Sequence, residues 1–119
     1  MACALPRGQL GQVPPESVAT VYAEVLEDVR MPSVSARTEI SEGQAKVRIE
    51  RVITGRAKLG VTMPMRFAYF CGPGGPPVKR GLKVILYLTD DRRALWWPTV
   101  DHAARFDPRV AKAFGRPMR

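Results

Sequence analysis

Short stretches in which apolar and polar residues alternate recur along this chain, and a period of two is the signature of a strand with one buried face. Between Val18 and Leu26, the residues Ala19, Val21, Ala23 and Val25 fall on one face and Thr20, Tyr22 and Glu24 on the other. Ala45, Val47 and Ile49 alternate in the same way with Lys46, Arg48 and Glu50, so the second strand has a charged outer face. Its phase breaks at Arg51-Val52-Ile53, ahead of Thr54-Gly55, which predicts a bulge or sharp coil before the turn. From Val61, the residues Met63, Met65, Phe67, Tyr69 and Cys71 share one face against Thr62, Pro64 and Arg66. Pro64 has no amide proton to give to a ladder, so this third strand is expected to have an open edge there. Leu82, Val84, Leu86 and Leu88 alternate with Lys83, Ile85 and Tyr87; this is the most apolar strand and the one expected to be most central. Asp90-Asp91 marks a hairpin turn. A short fifth strand, Ala94 to Pro98, sets Trp96 and Trp97 on opposite faces, which predicts one ring buried and the other partly exposed.

The connections have a different character. Residues 3–16, with Pro6, Gly8, Gly11, Pro14 and Pro15, suit an irregular arm. Glu27 to Gln44 lacks apolar period and is expected to be a long, mobile connection, and Gly72 to Pro77 is a turn-rich loop. Asp107-Pro108 reads as an N-cap with proline at the first helical position, opening a short helix in which Val110 and Phe114 meet at i and i+4 before Gly115 stops it. With 119 residues there is material for one hydrophobic core. Five short strands and a terminal helix favour an all-β closed barrel, because closure removes strand edges. The expected organisation is an arm (1–17), a barrel (18–101), and a helix with a basic tail (102–119), all in a single domain.

Nineteen Lys and Arg against eleven Asp and Glu leave a formal charge of +8. That potential favours acidic partners, but the basic residues run from Arg7 to Arg119 rather than in one block, the pattern of an ordinary solvated surface. No apolar stretch is long enough to cross a bilayer. The two cysteines, Cys3 and Cys71, and the one histidine, His102, do not have zinc-site spacing. The cysteines leave two readings: separate reduced thiols, or one disulfide. The bridge is favoured, since closing a loop of about 69 residues would stabilise so small a fold by roughly 4 kcal/mol. Met1-Ala2-Cys3 lacks the charged-then-apolar run of an export signal. An exported chain is therefore expected to have lost its signal, with Met1-Ala2 a cloning addition.

Several of these segments together resemble a known family. They are Val18 to Leu26, Ala45-Lys46-Val47-Arg48-Ile49-Glu50-Arg51-Val52-Ile53-Thr54-Gly55, the strand ending Phe70-Cys71-Gly72, and Gly81-Leu82-Lys83-Val84-Ile85-Leu86-Tyr87-Leu88. Over residues 3 to about 100 they are similar to the netrin-like modules, which include the tissue inhibitors of metalloproteinases and many short exported bacterial proteins. The resemblance implies a five-stranded OB-like barrel, export to an oxidising compartment such as the periplasm, and a disulfide from Cys3 to Cys71. In the inhibitors the amino group and carbonyl of a terminal Cys chelate a protease zinc, which implies a partner-binding role for Cys3 and the adjoining Ala4, Leu5 and Pro6, with Trp97 as a further contact. The sequence departs from the inhibitors in having no second Cys near Cys3 and no C-terminal domain.

A catalytic centre needs a nucleophile beside a base, a carboxylate pair or a metal, and no residue pattern here supplies one. Asp101-His102 has no serine or cysteine at a recognisable spacing, Asp90-Asp91 fits a turn, and Gly72 to Gly75 precedes no Gly-Lys-Ser or Gly-Lys-Thr helix start. The expectation is a non-enzymatic, exported module that needs no cofactor or metal and binds a protein or an envelope component, a metalloprotease among them. The alternative is a single-stranded nucleic-acid binder. Its basic face would hold Lys46, Arg48, Arg51, Arg56, Lys58 and Arg66, with Tyr22, Tyr87 or an exposed tryptophan under the bases. A lipidated Cys3 is a third possibility.

Overall fold

Each alternating stretch folds as a strand. The computed structural model describes residues 17–29, 40–70, 76–89 and 93–116. Within them β1 (Ala19–Val25), β2 (Ile40–Thr54), β3 (Thr62–Phe70), β4 (Lys83–Leu88) and β5 (Arg93–Trp96) precede α1 (Val100–Phe106) and α2 (Pro108–Ala113). The strands close into a barrel in the order β1-β2-β3-β5-β4. Every pairing is antiparallel except that of β3 with β5, which is parallel. The chain is thus an all-β, OB-like closed barrel with helices at its C-terminal end.

Two cores hold it together. The inward residues of the alternating strands, such as Val21, Val47, Met65, Phe67, Val84 and Leu86, fill the barrel with Trp97 among them. Phe67 and Trp97 meet edge to face at 5.1 Å between centroids, a geometry worth about 0.5–1.5 kcal/mol beyond the area it buries. The second core lies outside the barrel wall, where Ile85, Tyr87 and Trp96 pack beneath Ala103, Ala104, Val110 and Ala111 of the two helices. That is why β4 is apolar on both faces: one lines the barrel and the other carries the helices.

Local chemistry sets the ends and bends. Between β1 and β2 the register slips once between Thr20 and Val21 and again between Tyr22 and Ala23, the irregularity expected around Arg51-Val52-Ile53. Asp107 caps α2 by accepting from the Arg109 amide at 3.0 Å, with Pro108 at its start. Gly115 follows with φ of 62°, a left-handed position suited to glycine past a helix end. One mouth of the barrel is plugged. There Val78 is buried, its carbonyl accepts from the Val29 amide at 3.1 Å, and the Trp97 indole donates to the Pro76 carbonyl at 2.9 Å.

Three expectations are corrected. First, β2 begins at Ile40, not Ala45, because Ile40 to Gln44 pair antiparallel with Phe70 to Arg66; cross-strand pairing overrides the missing alternation. Second, α1 was not expected; Thr99 caps it, accepting from the His102 amide at 3.3 Å. Third, both tryptophans are buried, at 2% exposure for Trp96 and 0% for Trp97. They do point to opposite faces, but α1 and α2 cover the outer one. The arm, the Asp90-Asp91 turn, Cys71 to Gly75 and both cysteines lie outside the described residues.

Candidate binding cleft

Among the described residues, the other mouth of the barrel holds a cleft. The chain turns out of β2 at Gly55, whose φ of 82° is left-handed and whose missing side chain lets the backbone of Val18 and Ala19 pass against it; a Cβ there would lie 2.5 Å from the Val18 carbonyl oxygen. This close approach brings the start of β1, the end of β4 and the β2–β3 loop around a cleft of about 860 Å³. Its walls are apolar, with Ile49, Val61, Met63 and Leu88 contributing. Arg56 and Lys58 stand on its loop side, and no carboxylate is among the described residues that line it. Pro64 is part of the wall too, on the half of β3 that the described residues of β5 do not reach, since among them the pairs are at Arg66 and Phe67. Among the described residues, no strand pairs with β3 on that side of Pro64, where the sequence predicts an open edge.

Carboxylates are set among the residues of the basic face suggested by the sequence. Arg48 lies 2.5 Å from Glu24 and 3.8 Å from Glu50, and Glu50 also meets Lys83 at 3.6 Å. The Lys46 amide donates to Glu27 Oε1 at 2.9 Å, which brings a further carboxylate to that side. Arg51 sits over the Phe114 ring at 5.1 Å, and Phe114 in turn meets Tyr22 edge-on at 5.1 Å, so this pair of candidate residues anchors α2. Arg66 is half-buried. Of these basic residues, Arg56 and Lys58 are the ones in the described lining of the cleft. Of the proposed stacking platforms, Tyr87 and Trp97 are fully buried and have no face to offer a base or a partner. Cys3, Ala4, Leu5 and Pro6 lie outside the described residues.

Tyr87 serves a different purpose. Its hydroxyl donates to Asp107 Oδ2 at 2.7 Å, and Arg109 grips the same carboxylate through Nε and Nη2, each at 3.0 Å. Burial alone would raise the Asp107 carboxyl, but the hydrogen bonds from Arg109 and Tyr87 prevail and hold it below the ordinary carboxylate value. Burial, together with the bond to Asp107, pushes the Tyr87 phenol far above its usual value. A buried carboxylate satisfied from three sides is a structural joint between barrel and helices.

The cleft residues Val18, Thr62 and Thr89 were not singled out by sequence, although Pro64 was a usable signal. Fold and site together define a closed OB-like barrel that, among the described residues, carries a cleft at one mouth. No known protein family, no curated protein and no solved structure matches the chain.

Proposed function

We propose that this chain is an exported, non-enzymatic binding module of the netrin-like type whose ligand is a protein, taken up at the barrel mouth that holds the cleft. The observation that carries the reading is the cleft itself: apolar walls around a small number of charged groups are the usual make-up of a recognition site. The closed five-stranded barrel is the fold class that the resemblance implies. Export rests on the proposed Cys3–Cys71 bridge, and thiol counting on denatured protein kept from air and reductant should find no free thiol. Two free thiols would remove that part of the reading.

Binding is tested by panning a random twelve-residue peptide library on the immobilised full chain and mapping a selected peptide by amide NMR shifts. The expected result is a peptide that perturbs Gly55 to Lys58 and Val61 to Met65. Failure to enrich any peptide, combined with tight binding of a single-stranded oligonucleotide whose affinity falls linearly with salt on a log scale, would instead establish the nucleic-acid alternative.

A further inference from the structure

We infer that the cleft takes an extended acidic peptide segment as an added strand along the half of β3 that no described strand pairs with on its β5 side, an inference that rests on the protein-binding reading above. The direction of the free backbone groups follows from the ladder. Lys46 turns its main chain toward β1: its N–H donates to Glu27 Oε1 at 2.9 Å and its carbonyl accepts from the Leu26 amide at 2.8 Å. Lys46 stands opposite Pro64, so that pair exchanges no backbone bonds, whereas the neighbouring Val61 carbonyl does accept from Ile49 at 3.2 Å. By alternation, the N–H and C=O of Thr62 and the C=O of Pro64 point away from β2. On that side β5 begins its pairing only at Arg66, so among the described residues no strand meets them.

An extended ligand supplies the missing donors and acceptor, and its alternate side chains then reach the apolar wall or the rim. Val18 is 58% exposed and Leu59, in the β2–β3 loop, 65% exposed, which gives such side chains apolar surface to cover. The missing donor at Pro64 also interrupts the edge, which limits runaway pairing between copies of this chain. Charge selects the ligand. Arg56 and Lys58 are exposed, no ion pair holds either one among the described residues, and no carboxylate shares the described lining with them. Glutamate or aspartate on the incoming strand completes this rim. A nucleic acid fits less well, since no aromatic ring is among the described lining residues to stack a base.

The test uses the full chain labelled with ¹⁵N and four probes: acetyl-Val-Glu-Val-Glu-Val-Glu-amide, the same peptide with lysine for glutamate, the acidic peptide N-methylated at alternate amides, and a twelve-nucleotide oligothymidine. The acidic peptide is expected to shift the amides of Thr62 and Met63 and to bind at least tenfold tighter than the lysine and N-methylated forms. The double variant Arg56→Glu with Lys58→Glu should reverse the order of acidic and basic peptides, and a thermal melt matching the parent shows that it is folded. Equal binding of the N-methylated peptide at the cleft overturns strand addition but leaves protein binding intact. So does the failure of all three peptides when a library-selected peptide still occupies the cleft. An unchanged preference in the folded double variant overturns the acidic assignment. Tighter binding of oligothymidine, with every peptide inert, overturns this inference and the protein-binding reading together.

Discussion

The phenol of Tyr87 donates a 2.7 Å hydrogen bond to Oδ2 of Asp107, joining the strand at the centre of both cores to the residue that caps the last helix. Tyr87 and Asp107 are both essentially inaccessible to water, so neither group has solvent to fall back on. Tyr87→Phe keeps the ring stacked on Trp96, 4.8 Å away, and removes only the donor. Hydrogen bonds to charged groups contribute about 1.5–3 kcal/mol, and urea unfolding of this variant should show a loss in that range. A loss below a few tenths would mean that Arg109 satisfies the carboxylate alone.

The same joint sets the pH response at both ends of the scale. Asp107 is held below its ordinary value of 3.8, so the stability it contributes is fully present above that value. As pH falls below 3.8 the unfolded chain takes up the proton first, and that stability is lost until the folded carboxyl also protonates, at up to about 1.4 kcal/mol per pH unit. Tyr87 behaves in the opposite sense. Its folded value lies above the ordinary 10.0, so its contribution is intact below pH 10 and falls as pH rises beyond it. Unfolding free energies measured across both windows should show these slopes, and Asp107→Asn should flatten the acid one.

Gly55→Ala is expected to destabilise strongly, by about 1–3 kcal/mol, since the position combines positive φ with a Cβ placed 2.5 Å from the Val18 carbonyl oxygen. Gly60, also at positive φ, has open space around it, so Gly60→Ala should cost only the backbone strain, about 1 kcal/mol. The difference between the two melting temperatures isolates the close approach that shapes the cleft floor. Equal effects would show that the approach yields easily.

Thr20 is 1% exposed and its hydroxyl has no hydrogen-bond partner among the described residues. Thr20→Val keeps the shape and removes the buried, unsatisfied oxygen, and should stabilise the fold by roughly 1 kcal/mol. Chemical denaturation decides the sign, and a destabilised variant would reveal a hidden partner for the oxygen.

Much of the fold was legible because alternation records which side of a strand is dry. Ala45 to Glu50 carries that record in full, and Asp107-Pro108 announced α2 by its capping chemistry. What stayed hidden depends on contacts made across the fold. Ile40 to Gln44 is strand because β3 pairs with it, and no local pattern says so. Trp96 is buried because helices that follow it in sequence return to cover it. The carboxylate beside Arg48 was hidden for a similar reason: Glu24 meets it only once β1 and β2 lie side by side. Pro64 was the one residue whose covalent structure alone pointed to the cleft.

Trp96 and Trp97 are neighbours in the chain, yet one rests under the helices and the other inside the barrel. Replacing either with phenylalanine leaves a molecule with a single emitting indole, and each such molecule watches a different compartment. If the helical layer detaches before the barrel opens, the two emission signals will part company along a denaturant series, and their separation times the loss of each core without any added dye.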